Sequence, residues 1–237
     1  MKNRIYGEHA DIDFDNTKTF WQSRTNEDFS MRTVLLGSDK SNTAQTLRNM
    51  NELELFNSVI PIKEPLKILD IGSGIGRWPD NLHDRIEKYD GIDYTEAFVE
   101  YANQKYKDNP NINFYKMSAT DIDLSKLTGD YNLIITTGVL MYINDSELGK
   151  IFEMYRKLSP EYIYLQESVS IMETRLTLKD FESKEMNVNY SAIYRTSEEY
   201  EKYFNGFDII DTGLLLNEKN GSREETNARW WVLKRGK

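Results

Sequence analysis

The chain has 237 residues, 39% of them hydrophobic and 29% charged, with a net charge of -9 and no cysteine. That length suits one α/β domain with an elaboration, and the composition is ordinary for a globular protein. The acidic balance argues against a nucleic-acid partner, whose phosphates call for a basic surface, and the missing cysteines exclude disulfides, thiolate metal sites and a cysteine nucleophile.

In chain order, residues 1–66 precede the first core strand and are too long and too patterned to be a tail. Ser41 to Ile60 reads as a helix, with Leu47, Met50 and Leu53 recurring and Pro61 as its stop. Lys67 to Ile71 opens the core, because Ile68, Leu69 and Ile71 make an apolar run too short for a helix. Gly72, Gly74 and Gly76 follow as a turn whose missing Cβ atoms let the backbone lie close to a ligand. The next helix is expected to carry Pro79 in its first turn and Trp78, Leu82 and Ile86 on its inner face. Tyr89 to Tyr94 is a strand end, and Asp93 stands about 20 residues beyond the glycines, where a carboxylate accepts the two hydroxyls of a ribose. Thr95 caps the following helix, with Phe98, Tyr101 and Ala102 facing inward.

A dinucleotide fingerprint would require glycine where Arg77 stands. The spacing present, Asp70-x-Gly72-x-Gly74-x-Gly76, resembles the first motif of the class I methyltransferases that use S-adenosylmethionine. The resemblance implies an α/β fold: a mostly parallel, seven-stranded, Rossmann-like sheet flanked by helices, with an N-terminal helical cap. It implies S-adenosylmethionine as cofactor and S-adenosylhomocysteine as product. It places that cofactor against Asp70, Gly72, Ser73, Gly74, Gly76, Arg77, Trp78, Asp93 and Tyr94.

Asn109-Pro110 ends the second helix, and Ile112 to Met117 is a third strand. The family's next turn reads roughly D-A and contacts the adenine. Here it reads Met117-Ser118-Ala119, with Ser118 where an acid is usual, and the adenine pocket is expected there. Tyr131 to Thr137 is a fourth strand that looks like the family's fourth motif, which adds Thr137 to the cofactor set. The proline-bearing signature of DNA amino-methyltransferases is missing from it. Small-molecule members often carry a histidine near Met141 or Tyr142, but the two histidines are His9 and His83, and His83 is expected to be solvated. Asn144 and Glu147 start a helix striped by Leu148, Ile151, Phe152, Tyr155 and Leu158, which Ser159-Pro160 ends. Tyr162 to Ser168 is a fifth strand, with Glu167 at its carboxyl end, where open α/β sheets bind ligands. Residues 169–196 show no period; inserts at this place cover the active site in many members. Phe207 to Leu216 and Arg229 to Lys234 close the chain as an antiparallel pair, joined by the polar loop 217–227.

The expected organisation is therefore a cap over 1–66 and a methyltransferase domain over 67–237, with a lid at about 169–196. The reaction implied is methyl transfer to an oxygen or nitrogen of a small molecule. Tyr142, Glu167 and Tyr194 are the candidate general bases, and Tyr6, His9, Trp21, Arg24, Tyr190 and Arg195 the candidate substrate wall, Arg195 for an anionic group. No set of side chains argues for a metal. Phe20-Trp21-x-x-Arg24, Gly76-Arg77-Trp78 and Tyr194-Arg195 are similar to bacterial methyltransferases of surface-polysaccharide and capsule clusters. That likeness implies a sugar, nucleotide-sugar or phosphorylated capsule precursor as acceptor. A protein or peptide methyltransferase and a cofactor-binding module without catalysis are the alternatives, and Arg77 disfavours an NAD-linked oxidoreductase. No apolar run has the length of a membrane span and the polar start has no signal-peptide core, so no membrane partner and a cytoplasmic location are expected; the oligomeric state stays open.

Overall fold

The computed structural model describes residues 3–26, 29–35, 43–63, 65–127, 129–183, 188–215 and 224–236. The apolar run before the glycines is buried almost throughout, because it has sheet on both sides. In chain order the elements are β1 (Arg4–Tyr6), α1 (Phe14–Ser23), α2 (Met31–Val34), α3 (Thr43–Val59), β2 (Leu66–Ile71), α4 (Arg77–Leu82), β3 (Ile86–Asp93), α5 (Glu96–Lys105) and β4 (Ile112–Lys116). They continue with β5 (Leu133–Thr137), α6 (Asp145–Leu158), β6 (Tyr162–Ser170), β7 (Leu176–Ser183), β8 (Val188–Tyr194), α7 (Ser197–Glu201), β9 (Phe207–Leu214) and β10 (Thr226–Arg235).

The main sheet has seven strands in the order β4-β3-β2-β5-β6-β10-β9. The first five run parallel, while β10 inserts antiparallel between β6 and β9. The chain leaves β2 in one direction along the sheet and returns on its other side at β5. This reversal opens a crevice beyond the carboxyl ends of the two strands.

Both faces of the sheet are covered. Leu148, Ile151, Phe152 and Tyr155 of α6 pack with Leu69, Ile134 and Ile163 on one face. Phe56 of α3, Trp78 of α4 and Val99 of α5 pack with Ile68, Leu133 and Tyr164 on the other. The expected stripe of α6 is thus the buried one. Ser159, which follows it, turns left-handed at φ 52°, and Pro160 comes next.

Several sequence expectations change. α4 stops at Leu82, and Ile86 opens β3 instead of completing a helical face. His83 lies in the short turn between them, its side chain 64% exposed. α3 is rotated relative to the apolar pattern. Leu47 and Met50 are 57% and 53% exposed, whereas Gln45, Asn49, Glu52 and Phe56 are buried. Glu52 meets two arginines on the buried side of the helix, Arg48 at 2.7 Å and Arg77 at 2.8 Å. The fourth strand begins at Leu133, and the buried Tyr131 before it donates its O–H to Asp90. Most of the 217–227 loop lies outside the described residues.

The 169–196 stretch pairs as the antiparallel strands β7 and β8, and β1 joins them to make a second, three-stranded sheet. Helix α1 lies against this sheet, with the Phe20 and Tyr190 ring centroids 5.7 Å apart. N-terminal segment and insert therefore build one wall together.

Candidate active site

The glycine turn is pinned to the neighbouring strand: Gly72 and Ser73 both donate their N–H to the Ile92 carbonyl, at 2.8 and 3.0 Å. Gly72, Gly74 and Gly76 have φ of 77°, 54° and 73°, a region that only glycine enters freely. A Cβ on Gly72 would fall 2.2 Å from Val139 Cγ2, and one on Gly74 would fall 2.7 Å from Val34 Cγ1. The turn is thus a cradle that side chains would fill.

A cavity of about 260 Å³ opens over this turn. At the β3 side stands Asp93. Its Oδ2 accepts the Gly74 N–H at 3.0 Å and its Oδ1 the Thr95 N–H at 2.8 Å. Burial pushes its pKa up, against the pull of those two bonds. Tyr94, Met117, Ser118 and Ala119 line the end beyond it. In the other direction lie Thr137, Gln166 and Glu167 at the ends of β5 and β6, then an aromatic chamber of Trp21, Tyr142, Tyr190 and Tyr194. Trp21 meets Tyr142 edge-on at 5.6 Å, Tyr142 meets Tyr190 at 6.2 Å, and the Tyr190 and Tyr194 hydroxyls are hydrogen-bonded.

Glu167 is 1% exposed. Its Oε1 accepts the N–H groups of Val139 and Leu140, each at 2.9 Å, and its Oε2 that of Met141 at 3.2 Å. Burial raises its pKa to about 7, the three bonds opposing. Burial also holds the Tyr142 and Tyr190 phenols far above their ordinary values, so both stay protonated at neutral pH.

Some expected site residues lie off the cavity wall. Asp70 is buried beneath the turn and accepts the Tyr89 O–H. Gly76 is required by packing: a Cβ there would sit 2.8 Å from Phe114 and 2.9 Å from Tyr106. Trp78 is a core residue, 5.0 Å from the Phe56 ring. Tyr6 donates its O–H to Glu225, and the Arg24 guanidinium serves the Thr33 carbonyl. His9 meets Asp145 at 2.7 Å on the surface. Arg195 is the clearest correction. It is wholly buried, its Nε donates to Asp145 at 2.7 Å, and its Nη groups donate to the Leu140 and Ile143 carbonyls. It ties the loop after β5 to the insert and has no donor to offer a substrate.

Sequence reasoning missed Phe14, Thr17, Val34 and Arg48, which reach the wall from the cap. For Arg48 a signal existed, the i,i+4 spacing to Glu52. Among the described residues, no group of acids and histidines could hold a metal ion, and no helix is long and apolar enough to cross a membrane.

Residues 68–161, from β2 to the start of β6, match the family model of a methyltransferase domain. Phosphoethanolamine N-methyltransferase 1 of Zea mays is 26% identical over 153 residues, 64% of this chain and 29% of that protein. Malonyl-[acyl-carrier protein] O-methyltransferase 1 of Ilyobacter polytropus is 27% identical over 245 residues, 87% of this chain and 84% of that protein. The structure of phosphoethanolamine N-methyltransferase 1 of Haemonchus contortus, in complex with phosphoethanolamine and S-adenosylhomocysteine, aligns with a TM-score of 0.72 at 21% identity, over 94% of this chain and 48% of that one. The chain thus spans less than half the length of these two phosphoethanolamine N-methyltransferases. Its main sheet is the Rossmann-like sheet of the class I methyltransferases.

Proposed function

We propose that the methyltransferase domain binds S-adenosylmethionine and transfers its methyl group to a nitrogen or oxygen of a small molecule. The observation that carries this is the pairing of Asp93 with the glycine cradle. A carboxylate fixed by the Gly74 N–H at 3.0 Å faces the cavity beside a turn with no Cβ atoms. That combination suits a ribose diol and the chain of atoms leaving it. Met117, Ser118 and Ala119 offer a slot for the base.

S-adenosylmethionine, when bound, supplies a methyl group already activated by its sulfonium. The protein's task is to orient the acceptor and keep water out. The aromatic chamber does both. The nucleophile is a neutral amine, whose lone pair attacks the methyl carbon as the carbon–sulfur bond breaks; faces of Trp21 and tyrosine rings attract the positive charge that its nitrogen gains, and the buried Glu167 carboxyl adds to that field. A nitrogen acceptor is therefore favoured. Tyr142, a neutral phenol, and Tyr194 hold the acceptor by hydrogen bonds, and Glu167 acts by fixing the Val139–Met141 backbone.

A sugar, nucleotide-sugar or phosphorylated capsule precursor is the second reading. The aromatic walls support a sugar ring, but the anion contact assigned to Arg195 is lost to its burial. Calorimetry with S-adenosylhomocysteine and with NAD tests the cofactor: saturable binding of the first and none of the second is expected. Product formation with a panel of small amines and nucleotide-sugars then tests the acceptor. Turnover at background across both sets would sink the catalytic reading.

A further inference from the structure

Asn144 stands at the N-cap of α6, where an asparagine side chain ordinarily accepts the helix's own first N–H groups. Here it makes no such bond. It turns instead to Ile12, which precedes α1, and meets both backbone groups of that one residue. Asn144 Oδ1 accepts the Ile12 N–H at 2.9 Å, and Asn144 Nδ2 donates to the Ile12 carbonyl at 3.0 Å. The helix forgoes a stabilising cap, and the side chain is spent on a contact with a distant part of the chain.

What that contact joins is the acceptor chamber. Ile12 is buried and leads directly into α1, whose N-cap is Asp13. Phe14, Thr17 and Trp21 of that helix line the cavity. On the other side, Tyr142 lines the cavity just before Asn144 in the chain. The contacts close a ring: Asn144 to Ile12, along α1 to Trp21, edge-on from Trp21 to Tyr142 at 5.6 Å, and back along the chain to Asn144. At the helical rise, Trp21 stands about 13 Å along α1 from Ile12. The helix is therefore a lever, and a tilt at Ile12 becomes a shift of the indole.

Other contacts hold this segment, but they fix less. His9 meets Asp145 at 2.7 Å with its side chain 70% exposed, a solvated pair of small energetic effect. Gly7 donates its N–H to the Arg175 carbonyl at 3.0 Å, well upstream of Ile12. Phe20 seats α1 on β8 through its ring contact with Tyr190, and apolar contact is non-directional. Asn144 supplies the paired, directional hold. We propose that Asn144 is a positioning residue of the acceptor chamber, which sets Trp21 against Tyr142 by holding Ile12. This rests on the reading of that chamber as the place of the acceptor.

Asn144→Ser separates the clamp from the cap. Serine is as good an N-cap, so α6 keeps its start, but its short side chain cannot pair with both Ile12 groups. The variant should melt within about 5 °C of the parent. Acrylamide quenching of tryptophan emission on the full chain reads the indole, because Trp78, Trp230 and Trp231 are buried and Trp21 is half-buried. Trp21→Phe supplies the background to subtract. Asn144→Ser should raise the quenching of Trp21. It should also raise KM by about 10- to 100-fold, and more than it lowers kcat, for whichever of a panel of small amines and nucleotide-sugars the parent methylates best. Asn144→Asp keeps the acceptor for the Ile12 N–H and loses the donor, so it should fall between; it carries the same comparison should Asn144→Ser not fold. Parent-like quenching of Trp21 overturns the proposal, and so does a freed Trp21 with KM unchanged. If the parent methylates nothing on the panel, the acceptor reading fails and takes this inference with it. If the parent is active and Asn144→Ser matches it in quenching and KM, only this inference fails.

Discussion

Glu167 and Val139 sit at the ends of neighbouring strands, and the Glu167 carboxylate accepts the Val139 N–H at 2.9 Å. The next two N–H groups, of Leu140 and Met141, bind the same carboxylate. One side chain thus shapes the loop that carries Tyr142 into the cavity. Glu167→Gln keeps the volume but has a single acceptor oxygen and adds an NH2 among N–H donors. Loss of one or two charge-assisted bonds is worth about 2–4 kcal/mol of stability. Turnover is expected to fall about 10- to 100-fold, with S-adenosylhomocysteine binding within a factor of three of the parent. A loss of several thousandfold, with unchanged melting, would instead make Glu167 the proton acceptor in the reaction.

Arg195 and Asp145 predict a different phenotype. The guanidinium is wholly buried and spends its donors on Asp145 and two carbonyls, while Asp145 also binds Arg175 at 2.7 Å. Arg195→Met leaves those acceptors unpaired and the Asp145 charge short of a partner. Breaking such a pair costs about 3–5 kcal/mol, so chemical denaturation should show a loss of that size. Arg195→Lys should not rescue it, since one ammonium cannot reach Asp145 and two carbonyls together. A stable Arg195→Met variant with only a raised KM would return Arg195 to the substrate wall.

These two residues show where the sequence was legible. The sheet and its flanking helix were, because β2 is a short apolar run, α6 carries one helical stripe and the glycine turn has a spacing that means one backbone shape. Asp93 was placed by distance along the chain, and the structure sets it beside Gly74. Arg195 was misread because an arginine near two tyrosines looks the same in sequence whether it faces solvent or Asp145, fifty residues away. The α3 face was misread for a related reason: Leu47, Met50 and Leu53 make a better apolar stripe than the Glu52 face, yet Glu52 finds Arg77 only in three dimensions. The β7–β8 hairpin escaped because neither strand alternates: β7 is buried at Leu176–Leu178 and exposed at Lys179 and Asp180, and β8 is buried continuously from Tyr190 to Tyr194.

Asp93 tests the pocket from the opposite end. Its oxygens hold the Gly74 and Thr95 N–H groups and face the cavity. Asp93→Ala removes two backbone acceptors and the proposed diol acceptor together. S-adenosylhomocysteine binding should weaken by at least about 100-fold, and 5'-methylthioadenosine by a similar factor, because both carry the ribose. Parent-like binding of either ligand would remove Asp93 from the site.

The buried carboxyls give stability an unusual pH dependence. Asp70, 1% exposed beneath the glycine turn, has its pKa raised to about 7 by burial, against the Tyr89 hydrogen bond and the Arg77 charge. Glu167 is raised to about 7 by burial as well. Unfolded, the two groups titrate near 3.8 and 4.5. Between those values and about 7 the folded chain holds protons that the unfolded chain has released. Stability then falls as pH rises, by at most about 1.4 kcal/mol per pH unit for each group, and levels off above both folded values. Glu52 and Asp145 work in the opposite sense: their lowered values make their contribution present above the unfolded pKa and lost in acid. Melting temperature should therefore peak near pH 5 and drop towards pH 8. Asp70→Asn keeps an acceptor for the Tyr89 O–H and removes one titrating group. Its melting temperature should decline less steeply than the parent's between pH 5 and 8. A parent curve that is flat there, or an Asp70→Asn curve parallel to it, would mean that Asp70 ionises at its ordinary value despite its burial.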